Sequence, residues 1–116
     1  MASTLALPAA YKTQIAEALT SAKRPVLVWL EFQDCAGNTE SFLRASRPTA
    51  AEVVLDTLSV DYHETIMAAA GHQAEENLTK TVKERAGNYI AVVEGAIPTG
   101  ANGAYCTIGG RAAIDI

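Results

Sequence analysis

The apolar residues of this chain fall into two patterns, and each pattern predicts a type of secondary structure. Nearly continuous apolar runs at residues 25–32 and 89–93 predict strands that are buried on both faces, as in a parallel sheet. Other apolar residues recur every three or four positions, which predicts helices with one buried face. Strand and helix patterns alternate along the chain, so the sequence predicts an α/β fold with a parallel sheet.

The segment before the first predicted strand has the spacing of an amphipathic helix. Tyr11, Ile15 and Leu19 recur every four residues and therefore share one face of a helix over residues 9–22. We accordingly predict a helical extension at residues 1–24.

One domain is predicted over residues 25–116. Within it, Thr49 and Glu52 have the spacing of a capping box, which predicts the start of a helix. Leu78 and Val82 lie on one stripe of an otherwise polar segment, which is typical of a surface helix. The remaining predicted elements are a short helix starting at 41–45, a short strand at 58–62, a surface helix at 71–85 ended by Gly87, a loop at 94–105 and a first helical turn at 111–116.

Composition limits the range of functions. The chain has 116 residues, 49% of them hydrophobic, which is enough for one small domain with a packed core. The formal net charge is -4, and the nine lysines and arginines are scattered along the sequence. Binding to the phosphate backbone needs clustered basic residues, so no nucleic-acid partner is expected.

The N-terminal sequence gives an expectation about cellular location. Residues 1–8 do not form a basic region followed by a long apolar stretch, so no export signal is predicted. The expected location is the cytoplasm or the cytoplasmic face of the membrane. Removal of a signal before this sequence begins would place the protein in the periplasm instead.

Two cysteines are the strongest candidates for chemistry. Cys35 follows the apolar run at 25–32, and Cys106 follows the loop at 94–105 that comes after the run at 89–93. Each cysteine lies in a segment with glycines. Parallel strands deliver the turns after them to one shared edge, where ligands usually bind. Two thiolates at such an edge indicate a metal or iron–sulfur site. The alternative is a pair of buried structural thiols, and the glycine turns favour the metal site.

Asn38 completes the frame of a C-x-x-C turn that begins at Cys35. In such a turn the second cysteine would supply a second ligand to one cluster. Asparagine is a neutral oxygen donor and therefore a weak ligand for iron.

Three sequence motifs occur in the order found in one known family. They are Trp-Leu-Glu-Phe-Gln-Asp-Cys-Ala-Gly-Asn-Thr-Glu-Ser-Phe-Leu-Arg with the following Arg47-Pro48-Thr49, the segment 58–71, and the segment 92–111 with Val-Glu-Gly-Ala-Ile-Pro-Thr and Tyr-Cys-Thr-Ile-Gly-Gly-Arg. Together they resemble the small subunits of nickel–iron hydrogenases, over roughly residues 25–116.

The resemblance implies a fold and a cofactor. The expected fold is a flavodoxin-like, three-layer α/β domain with a parallel sheet, present here in incomplete form. The domain would hold the proximal iron–sulfur cluster, with Cys35 as its first ligand and Cys106 as its third. Asn38 stands where the second ligand is usually cysteine, and the fourth ligand would lie outside residues 1–116. The cluster would be of the four-iron type, with a three-iron cluster as the alternative because of Asn38.

The resemblance also implies a function. The chain would pass electrons from a nickel–iron centre in a separate large subunit to a downstream acceptor and would carry no catalytic residue of its own. Two other functions are compatible with the sequence: a flavodoxin-like module that binds flavin or nucleotide, and a truncated fragment with no independent activity.

Four other polar residues have predicted roles. Glu94 is expected to shape the cluster loop, with an exposed loop residue as the alternative. Glu40 is expected either in solvent or as a buried carboxylate at a subunit interface. His63 and His72 are nine residues apart and share no helical face, so structural or interface roles are predicted for both.

Overall fold

The computed structural model of this chain describes residues 24–116, so the helix predicted at residues 9–22 lies outside the described residues. The main strands are β1 (Val26–Glu31), β2 (Ser59–His63) and β3 (Tyr89–Glu94). The helices are α1 (Gly37–Leu43), α2 (Ala50–Glu52), which continues as a π-helical turn over Val53–Thr57, and α3 (His72–Glu84). A 3-10 turn at Gly100–Gly103, the short strands β4 (Thr107–Ile108) and β5 (Arg111–Ala112), and a 3-10 turn at Ala113–Asp115 complete the described part.

The three main strands form one parallel sheet. The order is β2-β1-β3, so β1 is central, and Val28 pairs with Tyr62 on one side and with Ala91 on the other. β4 and β5 form a separate antiparallel pair. The predicted α/β class and the parallel sheet are therefore confirmed. The carboxyl ends of all three parallel strands meet at one edge, where the candidate site lies.

Side chains of β1 alternate between two helical layers. Val28 belongs to a buried core with Tyr62 of β2 and with two residues of α3, Ala74 and Leu78. On the opposite face, the ring of Trp29 packs against the ring of Phe42 in α1 and the ring of His63 in β2. The distances between ring centroids are 5.7 Å and 4.9 Å. Helices thus cover both faces of the sheet, which confirms the flavodoxin-like, three-layer arrangement.

Helix α1 begins earlier than the sequence predicts. The sequence predicts a start at residues 41–45, whereas in the structure the helix begins at Gly37, immediately after the Cys35 turn. The backbone N–H groups of Asn38 and Thr39 donate to the carboxylate of Glu94, 56 and 55 residues away in sequence. A cap supplied from so far along the chain leaves no local sequence signal.

Three further predictions about local structure are corrected. The last segment forms β5 and a 3-10 turn rather than the first turn of a helix. Val93 in β3 is 52% exposed, so this strand is only half-buried, because it lies at an edge of the described sheet. Val82 is exposed, whereas Leu78 and Thr81 are buried on the face of α3 that meets the sheet.

Helix α3 also ends differently from the prediction. Arg85, rather than Gly87, occupies the cap position, and its N–H donates to the carbonyl of Thr81 at 2.9 Å. Gly87 follows with a φ of +75° and turns the chain toward β3. The capping box at Thr49 and Glu52 is present as predicted. Within residues 24–116 no helix is both long and apolar enough to cross a membrane.

Candidate metal centre

Strands β1 and β3 remain joined beyond their carboxyl ends. The N–H of Phe32 donates to the carbonyl of Glu94 at 2.9 Å. Gln33 and Ala96 then exchange two backbone hydrogen bonds of 3.0 and 3.1 Å, which form an antiparallel bridge. The two chains therefore leave the sheet edge as a connected pair, and the segment that leads to Cys35 starts from a fixed position.

Gly95 makes this close pairing possible. Its φ is +88°, and a Cβ at this position would lie 2.6 Å from the carbonyl oxygen of Gln33 and 2.9 Å from Cβ of Asp34. Only glycine fits, because a larger residue would meet both backbone strain and direct overlap.

Replacing Gly95 with alanine is therefore expected to lower the free energy of unfolding by more than about 2 kcal/mol, which is the sum of left-handed strain and overlap with the Gln33 carbonyl. Urea unfolding of the purified chain measures this loss. Gly87→Ala is the matched control, since Gly87 also has a positive φ but a Cβ added there would have no atom within 4 Å. Equal losses of unfolding free energy in the Gly95→Ala and Gly87→Ala variants would contradict the predicted overlap at Gly95.

The loop that carries Cys106 is attached to the same segment. The side-chain Nε2 of Gln33 donates to the carbonyl of Tyr105 at 3.0 Å. Cys106 is itself fixed by two backbone hydrogen bonds: its N–H donates to Gly103 at 3.2 Å, and its carbonyl accepts from Ala113 at 2.9 Å. The loops of both candidate cysteines thus lie side by side at the carboxyl edge of the sheet.

The turn at Cys35 has a defined backbone. Ala36 adopts the left-handed conformation with a φ of +55°, and its N–H donates to the carboxylate of Asp34. A Cβ on Gly37 would lie 3.1 Å from Sγ of Cys35, so glycine keeps space open beside the sulfur. Cys35 is exposed, Cys106 is half-buried, and both are free thiols.

Asn38 lies in the first turn of α1, three residues after Cys35, and its side chain is exposed. Its backbone N–H is bound by Glu94 at 2.8 Å. Glu40, in the same helix, is exposed and forms a salt bridge with Arg44, as expected for a carboxylate in solvent.

Glu94 is the centre of a buried hydrogen-bond network. Only 2% of the residue is exposed, and its carboxylate accepts bonds from Trp29 Nε1 at 3.1 Å, Asn38 N at 2.8 Å, Thr39 N at 3.2 Å and Thr39 Oγ1 at 2.8 Å. Burial raises the pKa of Glu94, but these donors favour the ionised form and hold the pKa below its ordinary value. Glu94 is therefore a buried anion that fixes the start of α1 beside Cys35.

A second carboxylate extends the network. Glu31 accepts from Thr39 Oγ1 at 2.8 Å and from Thr65, and its backbone N–H donates to Glu64 at 3.0 Å. A hydroxyl carries one proton, so Thr39 donates to only one of the carboxylates of Glu31 and Glu94 at a time. Sequence reasoning missed Thr39 and Glu31. The Glu31 carboxylate inside an otherwise apolar strand was the available signal, because a buried charge requires partners.

His63 completes the buried cluster. It is 0% exposed, stacks on Trp29 at 4.9 Å, and lies 3.8 Å from a carboxylate oxygen of Glu31. Desolvation lowers the pKa of His63 below 6.5, and the carboxylates of Glu31 and Glu94 oppose that effect without reversing it. His63 therefore packs as a neutral ring, in agreement with its predicted structural role.

This environment predicts a pH dependence of stability. The unfolded chain binds a proton at His63 below about pH 6.5, whereas the folded chain resists protonation. Stability is thus expected to be full above that pH and to fall as the pH drops toward the lower folded pKa. Urea unfolding between about pH 5 and 8 measures the slope of the free energy of unfolding against pH. His63→Gln is expected to flatten it, and an unchanged slope in this variant would contradict the assignment.

The residues at this edge are suitable as part of the ligand set of an iron–sulfur cluster. Cys35 and Cys106 supply two free thiols on adjoining loops, and iron in such clusters takes cysteine sulfur ligands. The absence of a Cβ at Gly37 leaves room beside one sulfur. Asn38 offers an amide oxygen at the next position of the turn. The structure thus places all three predicted site residues on the same sheet edge.

Comparisons with known proteins show the family of this chain. Residues 35–110 match the family described as NADH ubiquinone oxidoreductase, 20 Kd subunit. The chain is 42% identical over 99% of its length to the Hydrogenase-2 small chain of Escherichia coli K12, covering 31% of that protein. It is 45% identical over its whole length to the periplasmic [NiFe] hydrogenase small subunit 1 of Nitratidesulfovibrio vulgaris Hildenborough, covering 36% of it.

Solved structures give the same result. The [NiFeSe]-hydrogenase of Dm. baculatum, activated with H2 and crystallised under air, superposes with a TM-score of 0.73 at 38% identity. The match covers 76% of this chain and 32% of that chain. This chain therefore spans about a third of the length of the relatives it matches. It belongs to the NADH ubiquinone oxidoreductase 20 Kd subunit family, and within that family it groups with the small subunits of nickel–iron hydrogenases.

Proposed function

We propose that this chain serves in the small, electron-transferring subunit of an uptake-type nickel–iron hydrogenase, where Cys35 and Cys106 bind an iron–sulfur cluster. One observation supports this most strongly. The hydrogen bond from Gln33 to Tyr105 joins the loops of the two free thiols at the carboxyl edge of the sheet. Because the chain spans about a third of its relatives, the activity is proposed for the assembled protein.

The proposed ligand set follows from the positions of the donors. Cys35 and Cys106 would hold the cluster as its first and third ligands, and Asn38 would take the second position through its amide oxygen. A further thiolate would come from outside residues 1–116. When bound, the cluster supplies one-electron transfer. We expect a four-iron cluster, with a three-iron cluster as the alternative at Asn38.

The protein has two roles around this cofactor. Glu94 fixes the start of α1 and thereby the turn that presents Cys35. Replacement of one thiolate by a neutral amide removes a negative charge from the ligand set, which raises the reduction potential of the cluster. The chain would thus position the cofactor and set its potential, while hydrogen chemistry takes place in another subunit.

The proposed partner is the large subunit that carries the nickel–iron centre, and a downstream acceptor receives the electrons. Apolar side chains near the two cysteine loops support docking at this edge. Tyr105, next to Cys106, is 70% exposed, and Ile97, in the loop after β3, is 44% exposed. Large aromatic and aliphatic side chains of this kind are typical anchors of protein interfaces.

The experiment that tests the proposal is anaerobic purification of the native complex that contains this chain. We expect hydrogen-dependent reduction of benzyl viologen, together with iron and sulfide that copurify with the small subunit. A spectrum with the yellow absorbance of flavin, and no iron, would instead support a flavin-binding module and would contradict the proposal.

A further inference from the structure

One side chain of α1 contacts the last residue of each of the three parallel strands. Thr39 is only 1% exposed. Its hydroxyl oxygen lies 2.8 Å from a carboxylate oxygen of Glu31, 2.8 Å from one of Glu94 and 3.4 Å from Nε2 of His63. These three partners end β1, β3 and β2, respectively. A single hydroxyl therefore joins the first turn of α1 to the carboxyl edge of the described sheet.

The hydroxyl of Thr39 both accepts and donates hydrogen bonds. Nδ1 of His63 accepts from the backbone N–H of Thr65 at 3.3 Å, so the neutral ring carries its proton on Nε2. Nε2 then donates to the Thr39 oxygen, and the hydroxyl proton is donated to Glu31 or to Glu94. Valine has nearly the shape of threonine but can make none of these bonds.

The backbone connects Thr39 to the turn that carries Cys35. The N–H of Glu40, the next residue after Thr39, donates to the carbonyl of Ala36 at 2.9 Å. Ala36 directly follows Cys35, so the cysteine turn is bonded to the first turn of α1. Movement of this helix start would break the contacts of Thr39 with three strands at once. These contacts therefore fix the place of the Cys35 turn on the sheet edge.

We propose that Thr39 is a positioning residue for the iron–sulfur cluster, and that its hydroxyl holds the Cys35 turn where the sulfur can bind iron. The inference rests on the proposed function, because it requires a cluster bound at Cys35. Residues that orient a metal ligand without touching the metal commonly change metal affinity by about 10- to 100-fold when they are replaced. Because the hydroxyl makes the contacts, serine is expected to substitute for Thr39 and valine is not.

Release of the Cys35 sulfur from the cluster tests the proposal at this site alone. The native complex is kept anaerobic with an iron chelator and N-ethylmaleimide, and mass spectrometry of the peptide that contains Cys35 measures the rate of alkylation. Thr39→Val is expected to raise this rate at least about tenfold. Thr39→Ser keeps the hydroxyl and is expected to react at the wild-type rate.

Thr81→Val is the matched control for a general loss of stability. Thr81 is also buried, with 6% of the residue exposed, and its hydroxyl donates to the carboxylate of Asp61 at 3.0 Å. It lies in α3 rather than in the helix that follows Cys35. This variant therefore loses a similar buried hydrogen bond and is expected to leave the alkylation rate of Cys35 unchanged.

Three outcomes would overturn the positioning role of Thr39. They are equal alkylation rates in the wild-type and Thr39→Val complexes, equally raised rates in Thr39→Val and Thr39→Ser, and equally raised rates in Thr39→Val and Thr81→Val. Immediate alkylation of Cys35 in the wild-type complex without chelator would instead contradict cluster binding at Cys35. Failure of the positioning role is thus distinguishable from failure of the proposed function.

Discussion

Replacing Cys35 with serine is expected to abolish hydrogen-dependent dye reduction by the assembled complex, to less than about one hundredth of the wild-type rate. Serine is a poor ligand for iron, so the cluster would lose one of the two cysteine ligands proposed for this chain. Cys35 is exposed, so the substitution removes little packing, and the fold should persist. The rate of dye reduction measures the loss of activity, and the iron content of the purified complex measures the loss of the cluster.

The same loss is expected for Cys106→Ser, because in the proposed site both cysteines bind one cluster. Ala104→Ser is the matched control: it introduces the same hydroxyl at an exposed position two residues from Cys106 and should retain wild-type activity and iron. Full activity and full iron content in either cysteine variant would contradict the assignment of that residue as a ligand.

The second large effect is expected at Glu94. Replacing it with alanine would leave the N–H groups of Trp29, Asn38 and Thr39 without their acceptor in a buried site. Each buried donor without a partner costs about 1–3 kcal/mol, so the loss of the acceptor shared by three donors should lower the free energy of unfolding by at least about 3 kcal/mol. Because a small domain has only about 5–15 kcal/mol in total, this variant should be close to unfolding.

Urea unfolding measures the loss, and the pH dependence adds a second readout. The folded pKa of Glu94 lies below the ordinary value of 4.5. Its ionised form thus contributes stability above that pH, and the contribution disappears as the pH falls through the folded pKa. Glu76→Ala, at an exposed position of α3, is the control and should change stability by less than about 0.5 kcal/mol. Equal losses for both variants would contradict the buried role of Glu94.

The parts of the fold that the sequence predicted are those with local signals. The apolar runs indicated β1 and β3, and the capping box indicated the helix that starts after Thr49. The glycine turns around the cysteines, together with the rule that parallel strands share one edge, predict that Cys35 and Cys106 reach one place. The hydrogen bond from Gln33 to Tyr105 joins the segments next to them.

The parts that the sequence did not predict depend on contacts between distant residues. Helix α1 begins at Gly37 because Glu94 binds its first N–H groups, and nothing near residue 37 encodes that interaction. The exposure of Val93 follows from the position of β3 at an edge of the described sheet, which an apolar run does not reveal. Likewise, the partners of Glu31 and His63 become visible only when three strands and a helix are assembled.

Iron-edge anomalous X-ray scattering from crystals of the native complex tests the central claim most directly. We expect anomalous peaks at the carboxyl edge of the sheet, with iron within bonding distance of Sγ of both Cys35 and Cys106. The peak pattern would also distinguish a four-iron from a three-iron cluster beside Asn38. Anomalous peaks elsewhere in the complex, with none at these two sulfurs, would contradict cluster binding by Cys35 and Cys106.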